Sequence, residues 1–128
     1  MFGFLKSSAI ALVLLFPVFA YIGFSRSNLP PDQVVSSPAT AQDFMHRGNL
    51  YWKRGDYEAA LADYIQVTRL EPREESGYMR QGMALDALER EEEAIATFQQ
   101  ARAIAQNNGN GNAVKHAEWF IQQVQQHP

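Results

Sequence analysis

The sequence predicts an all-α fold: two helix–turn–helix repeats and a closing helix, preceded by a hydrophobic helix and a flexible linker. Three observations predict it. The first is an internal period, since adding 34 to positions between Ala41 and Pro72 returns the same kind of residue. The pairs are Phe44/Tyr78, Gly48/Gly82, Leu50/Ala84, Ala60/Ala94, Leu61/Ile95, Tyr64/Phe98, Val67/Ala101 and Leu70/Ile104. A fixed period of this length marks a stacked helical-hairpin repeat. The second is punctuation by residues that start and stop helices, and the third is apolar residues at helical spacing between those marks.

The chain has 128 residues and no cysteine, so it holds one small domain without disulfide or thiolate chemistry. Met1 to Phe24 is hydrophobic, with Lys6 as its one charge. The 18 uncharged residues from Ser7 to Phe24 would make a helix about 27 Å long, just short of a bilayer core of ~30 Å. One reading is a retained single-span anchor. The other is a cleaved secretory signal, with Lys6 as its positive end, Ala9 to Phe19 as its apolar run and a small-residue site at Val18-Phe19-Ala20. Apolar residues continue past that site through Tyr21, Ile22 and Phe24, which favours the anchor. Lys6 and the free amino group precede the span and Arg26 alone follows it closely, so the positive-inside rule favours the repeats on the non-cytoplasmic side by about one charge, with the flipped topology as the alternative. Residues 25–40, rich in Ser and Pro, read as a linker, with a short strand at Gln33-Val34-Val35 as the alternative.

The repeat domain is expected over 41–128. Thr40 and Asp43 form a capping-box pattern for a first helix over about Ala41–Lys53. Gly55 ends it, Asp56 caps a second helix over about Tyr57–Leu70, and Pro72 prevents continuation. The small residues Gly48 and Ala60 let the two helices approach, with Phe44, Tyr51, Leu61 and Tyr64 filling the space around them. The third and fourth helices are expected at about Ser76–Leu88 and Glu91–Ala105. The acidic run Glu89 to Glu93 complements the helix start there. Repeat one is thus 41–74 and repeat two 75–108. Asn107 to Asn112 is a loop by composition; it lacks the lysine of a phosphate loop and the carboxylates of a calcium loop. Asn112 caps a closing helix over 113–126, with Val114, Ala117, Phe120, Ile121 and Val124 in one stripe and Trp119 beside it. Glutamines cover the other side, as a terminal lid on a helical stack requires. The alternative is the first helix of an incomplete third repeat.

These residues resemble the tetratricopeptide repeat (TPR) family. Phe44, Gly48, Tyr51, Ala60, Tyr64 and Pro72 fill its aromatic, small, tyrosine, alanine, aromatic and proline positions, and the turn Gly55-Asp56-Tyr57-Glu58-Ala59-Ala60-Leu61 is similar to the family's. The second copy departs at Leu85, in place of tyrosine, and Gln106, in place of proline. The resemblance implies a protein-binding module that uses the groove lined by the first helix of each hairpin. Helical geometry puts Met45, Asn49, Trp52 and Lys53 on that stripe of the first repeat. Met79, Met83, Asp86 and Ala87 follow on the second, with Arg80 alongside. Methionines suit a surface that accepts varied apolar side chains. The alternative is that they lie covered by the fifth helix. A TPR subset clamps the carboxyl-terminal tails of chaperones with cations and asparagines; here Asn49 matches that subset but Met45 replaces a lysine and a third full repeat is missing, so no such clamp is expected.

Enzyme readings fail by inventory. His46, His116 and His127 have no metal-site spacing, and there is no nucleophile-elbow or dinucleotide motif, so no catalytic residue, metal or cofactor is expected. The carboxylates are expected on solvated helix faces. From Ala41 onward nine Lys/Arg stand against thirteen Asp/Glu, which argues against nucleic acid as a partner. The expectation is therefore a noncatalytic protein- or peptide-binding module tethered at a membrane through residues 1–24, acting as a scaffold or assembly factor. Small anchored TPR proteins that help assemble membrane complexes are similar in layout. An exported soluble adaptor, or a subunit that self-associates through exposed repeat ends, are the alternatives.

Overall fold

A computed structural model describes residues 37–127. The readings made on residues 1–36, the anchor or signal and most of the linker, lie outside the described residues. The described residues form five helices and no strand. None of these helices is long and apolar enough to cross a membrane. They are α1 (Ala41–Lys53), α2 (Tyr57–Leu70), α3 (Glu75–Ala87), α4 (Glu91–Asn107) and α5 (Gly111–Gln126).

Local chemistry sets the helix ends. The Thr40 hydroxyl accepts from the Asp43 N–H at 3.1 Å, and the Asp43 carboxylate accepts from the Thr40 N–H at 3.1 Å. This capping box satisfies donors that α1 leaves open. Gly55 sits at φ +78°, a left-handed conformation that glycine adopts without Cβ strain. Asp56 then caps α2 by accepting from the Ala59 N–H at 3.2 Å.

The second hairpin solves the same turn with poorer residues. Glu89, the counterpart of Gly55, sits at φ +60°. Arg90, the counterpart of Asp56, offers no side-chain cap; its guanidinium instead donates to Glu93 at 2.6 and 2.8 Å. A non-glycine residue in the left-handed region costs roughly 1–2 kcal/mol, partly offset by glycine's larger entropy in the unfolded chain. Glu89→Gly should therefore stabilise the domain by about 0.5–1 kcal/mol, read as a higher midpoint of urea unfolding. An unchanged or lower midpoint would show that the turn is not under strain.

Three helix boundaries move by one or two residues from expectation, one of them the end of α3, at Ala87 rather than Leu88. α3 begins at Glu75 and α4 runs on to Asn107. The larger correction is at α5, which begins at Gly111 and is capped by Asn110, whose carbonyl accepts from the Ala113 N–H at 3.2 Å. Asn112 is not the cap. Gly109, at φ +70°, turns the chain early enough for the helix to start there.

Consecutive helices pack against each other, and α5 also touches α3. This gives one layer of α1, α3 and α5 and a second of α2 and α4. Ala60, Leu61, Tyr64, Ala84, Leu85, Ala94, Phe98, Ile121 and Val124 form the shared core. Close approach within each hairpin depends on one glycine. A Cβ on Gly48 would lie 2.8 Å from Tyr64 Cε1, and one on Gly82 would lie 2.6 Å from Phe98 Cε1. Phe44 and Tyr51, expected in the packed core, are only half-buried, because no described helix precedes α1 to cover them. Their counterparts Tyr78 and Leu85 are buried.

Arg47 covers that end of the stack. Its guanidinium lies 5.8 Å from the ring centres of both Phe44 and Tyr51. It also makes a fork to Asp63 on α2, Nε to Oδ2 and Nη2 to Oδ1, both at 2.7 Å. Asp63 is only 3% exposed. The expectation that the carboxylates all sit on wet faces is thus corrected at Asp63. The pairing with Asp63 raises the Arg47 pKa above its usual value. The second repeat carries Gln81 and Thr97 at these places and makes no such pair, since α2 already covers that face.

Candidate functional site

The residues singled out from the sequence fall on the α1–α3–α5 layer in two groups. On α1, Met45 and Trp52 are half-buried and pack partly against the core. Trp52 also meets Tyr57 across the hairpin turn, ring centres 4.9 Å apart. Asn49 is half-buried, and its side-chain oxygen accepts from the Tyr64 hydroxyl at 2.8 Å. That bond fixes the amide and leaves its NH2 as the group able to reach a ligand. Tyr64 is fully buried, and burial pushes its pKa up, so the hydroxyl stays a donor. Lys53 is exposed.

On α3, Met79 and Met83 are half-buried one turn apart, while Arg80 and Asp86 are exposed. Met79, Arg80 and Met83 line an open groove of about 370 Å³ together with Glu75 and Ser76 of α3 and Ala113 and His116 of α5. The four α1 residues and Asp86 are not part of its lining. The two methionines are neither sealed beneath α5 nor fully free. One side of each rests on the core, and the other borders the groove.

Sequence reasoning missed Glu75, Ser76, Ala113 and His116 as parts of this groove. The signal for α5 was hidden by a change of spacing. The first helices of the two hairpins start 34 residues apart, at Ala41 and Glu75, but α5 starts 36 after α3, at Gly111. With that offset, buried Leu85 corresponds to buried Ile121, and Arg80 corresponds to His116. In that register α5 stands where the first helix of a third repeat would, and it packs on α4 and touches α3.

Glu75 has a structural duty at the mouth of the groove. Asn108 Nδ2 donates to its Oε2 at 3.0 Å and to the Arg73 carbonyl at 3.0 Å, and Asn110 Nδ2 donates to its Oε1 at 2.5 Å. The asparagine-rich loop thereby ties the start of α5 to the start of α3. The Glu75 carboxyl is held below its usual range, chiefly by its own backbone N–H and then by Asn108 and Asn110, with burial opposing. A carboxyl with a lowered folded pKa contributes stability above its unfolded value of about 4.3 and loses it as pH falls through the folded value. Wild type should thus be more stable than Glu75→Gln at neutral pH, with the gap closing below about pH 4. Urea unfolding of both chains across that range measures it; a pH-independent gap would contradict the ionised clamp.

Among the described residues, no group of three or more His, Cys, Asp or Glu is placed to hold a metal ion. The site offers an apolar floor with a polar rim carrying charges of both signs, in a stack of helical hairpins. Such an arrangement defines a helical-repeat interaction module. The tetratricopeptide repeat model matches residues 46–109, and the chain belongs to the tetratricopeptide repeat family. Among solved structures, the TPR2B-domain:pHsp70-complex of yeast Sti1 is similar in fold, with a TM-score of 0.65 and 20% identity over 69% of this chain and 70% of that one.

Proposed function

We propose that the chain is a noncatalytic adaptor, held at a membrane by residues 1–24, that binds an apolar or amphipathic segment of a partner protein along the α1–α3–α5 layer. The observation that carries this reading is the open groove bordered by Met79 and Met83 of α3 and by Ala113 and His116 of α5. Half-buried methionines opposite a second helix provide a flexible apolar floor. An apolar helix face laid into such a groove is a recurrent mode of recognition. Asn49, Trp52, Lys53 and Met45 extend the surface along α1, and Arg80 and Asp86 supply charged contacts at its edge. The role that follows is a scaffold or assembly factor for a membrane complex, with the repeats on the non-cytoplasmic side. The family supports protein binding, and the Sti1 domain of similar fold is one seen in a complex.

One experiment tests the tether and the groove together. The full chain, tagged after Pro128, should stay with membranes through an alkaline carbonate wash and should retain a crosslinked partner from its own membrane fraction. Met83→Glu should stay with the membrane and keep its helix content but lose most of the partner, because a charge on the apolar floor costs at least about 1–3 kcal/mol. Release of wild type by carbonate would rule out the anchor. Unchanged capture by Met83→Glu would rule out the groove.

A further inference from the structure

The junction of α4 and α5 contains two asparagine–glycine steps, Asn108-Gly109 and Asn110-Gly111, and these are the two asparagines that donate to Glu75. All four residues are exposed. An asparagine followed by glycine sets an electrophile beside a nucleophile: the side-chain Cγ and the next backbone nitrogen. Glycine has no Cβ to hold that nitrogen away from the side chain, and it leaves the local backbone free to turn. At Gly109 and Gly111 nothing lies within 4 Å of where a Cβ would stand, so the chain has room for the approach. Asn107 and Asn112 flank the same junction and are also exposed, but they precede Asn108 and Ala113, which carry side chains.

The fold restrains the reaction between them. The Gly109 N–H donates to the Gln106 carbonyl at 3.1 Å, and the Gly111 N–H to the Gly109 carbonyl at 3.2 Å. Both side-chain nitrogens are held by the Glu75 carboxylate, at 3.0 Å from Asn108 and 2.5 Å from Asn110. These bonds lie at an exposed junction between two helices, where local opening costs far less than opening of the core. Each opening frees the asparagine side chain and the glycine nitrogen together. We infer that Asn108 and Asn110 are sites of spontaneous deamidation by water, gated by their contact with Glu75, and that conversion unlatches the start of α5 from α3.

The step needs only water. With the glycine N–H proton lost to solvent, the nitrogen bonds to Cγ and the Cγ–Nδ2 bond breaks, the amine taking a proton from solvent and leaving as ammonia. Water then opens the cyclic imide at either carbonyl, giving aspartate or isoaspartate. No electron is gained or lost. Where amides donated to Glu75, carboxylates now face it, and like charges at that range repel. α5 stays packed on α4, but its first turns, which bring Ala113 and His116 to the groove, lose their tie to α3. The result is a one-way loosening of that wall of the groove.

The full chain, incubated in neutral buffer and mapped as peptides by mass spectrometry, tests this. Asn108 and Asn110 should convert severalfold faster than Asn107 and Asn112, and faster again in Glu75→Ala. Gly111→Ala adds a Cβ that meets nothing, and it should slow Asn110 severalfold with less change at Asn108. Aspartate caps a helix about as well as asparagine. Asn110→Asp should therefore lower the midpoint of urea unfolding in the natural chain but not in the Glu75→Ala chain. Conversion at Asn108 and Asn110 no faster than at Asn107 and Asn112 overturns the sites. An unchanged Asn110 rate in Gly111→Ala overturns attack by the glycine nitrogen. Equal rates in wild type and Glu75→Ala overturn the gate. An unchanged midpoint for Asn110→Asp, or an equal drop in both chains, overturns the unlatching.

Discussion

Replacing Arg47 with alanine should destabilise the domain by about 3 kcal/mol, more than any other single surface-facing change. The guanidinium is the fork-shaped partner of an Asp63 carboxylate that is 3% exposed, and both hydrogen bonds are 2.7 Å long. Removing it leaves a buried carboxylate without its cation, and the cost of that exceeds the modest net value of the pair itself. It also uncovers the faces of Phe44 and Tyr51, over which the guanidinium lies. Arg47→Lys keeps the charge but not the planar two-point contact, so it should cost roughly half as much. The double change Arg47→Met with Asp63→Leu should recover to within about 1–2 kcal/mol of wild type, since two apolar groups leave no unpaired charge. Chemical unfolding of the four chains decides the matter. A loss below about 1 kcal/mol for Arg47→Ala would place this pair with ordinary exposed ion pairs.

Gly82→Ala should cost about 2 kcal/mol, although alanine favours a helix over glycine by about 1 kcal/mol. The added Cβ would meet three atoms of the Phe98 ring at 2.6, 2.8 and 2.9 Å. The ring has no free direction to retreat. It is fully buried, and Phe120 of α5 stacks upon it. The helices must then separate, loosening α3, α4 and α5 together. The same substitution at Gly111, where a Cβ would meet nothing within 4 Å, should be neutral or slightly stabilising within about 0.5 kcal/mol. Thermal unfolding of the two variants separates a packing effect from a general intolerance of alanine. Equal behaviour would sink the close-approach account of the repeat.

Much of the molecule was readable as text because its signals act over a few residues. Thr40 and Asp43 bond each other across one turn, Gly55 supplies the left-handed turn at its own position, and Asp56 caps the next helix. The 34-residue recurrence of Gly48 and Tyr64 as Gly82 and Phe98 disclosed the hairpin contact, because the same steric problem is solved twice. Helical periodicity also put Met79 and Met83 on one side of α3, where both are half-buried.

Other features depend on groups far apart in the chain, and no local pattern announces them. Asp63 looks like any helical carboxylate until packing buries it, and Arg47 looks like a solvated cation until α2 comes within reach of its fork. The asparagine-rich loop reads as featureless, yet it folds back on Glu75, 33 and 35 residues earlier in the chain. The two-residue change of spacing before α5 concealed its repeat register, so that Ala113 and His116 joined Met79 and Met83 only in three dimensions. Helix starts and turns follow from nearest-neighbour sterics and hydrogen bonds, which a linear sequence contains in full. Burial of a charge and the lining of a groove follow from which surfaces meet, and that is a property of the assembled helices.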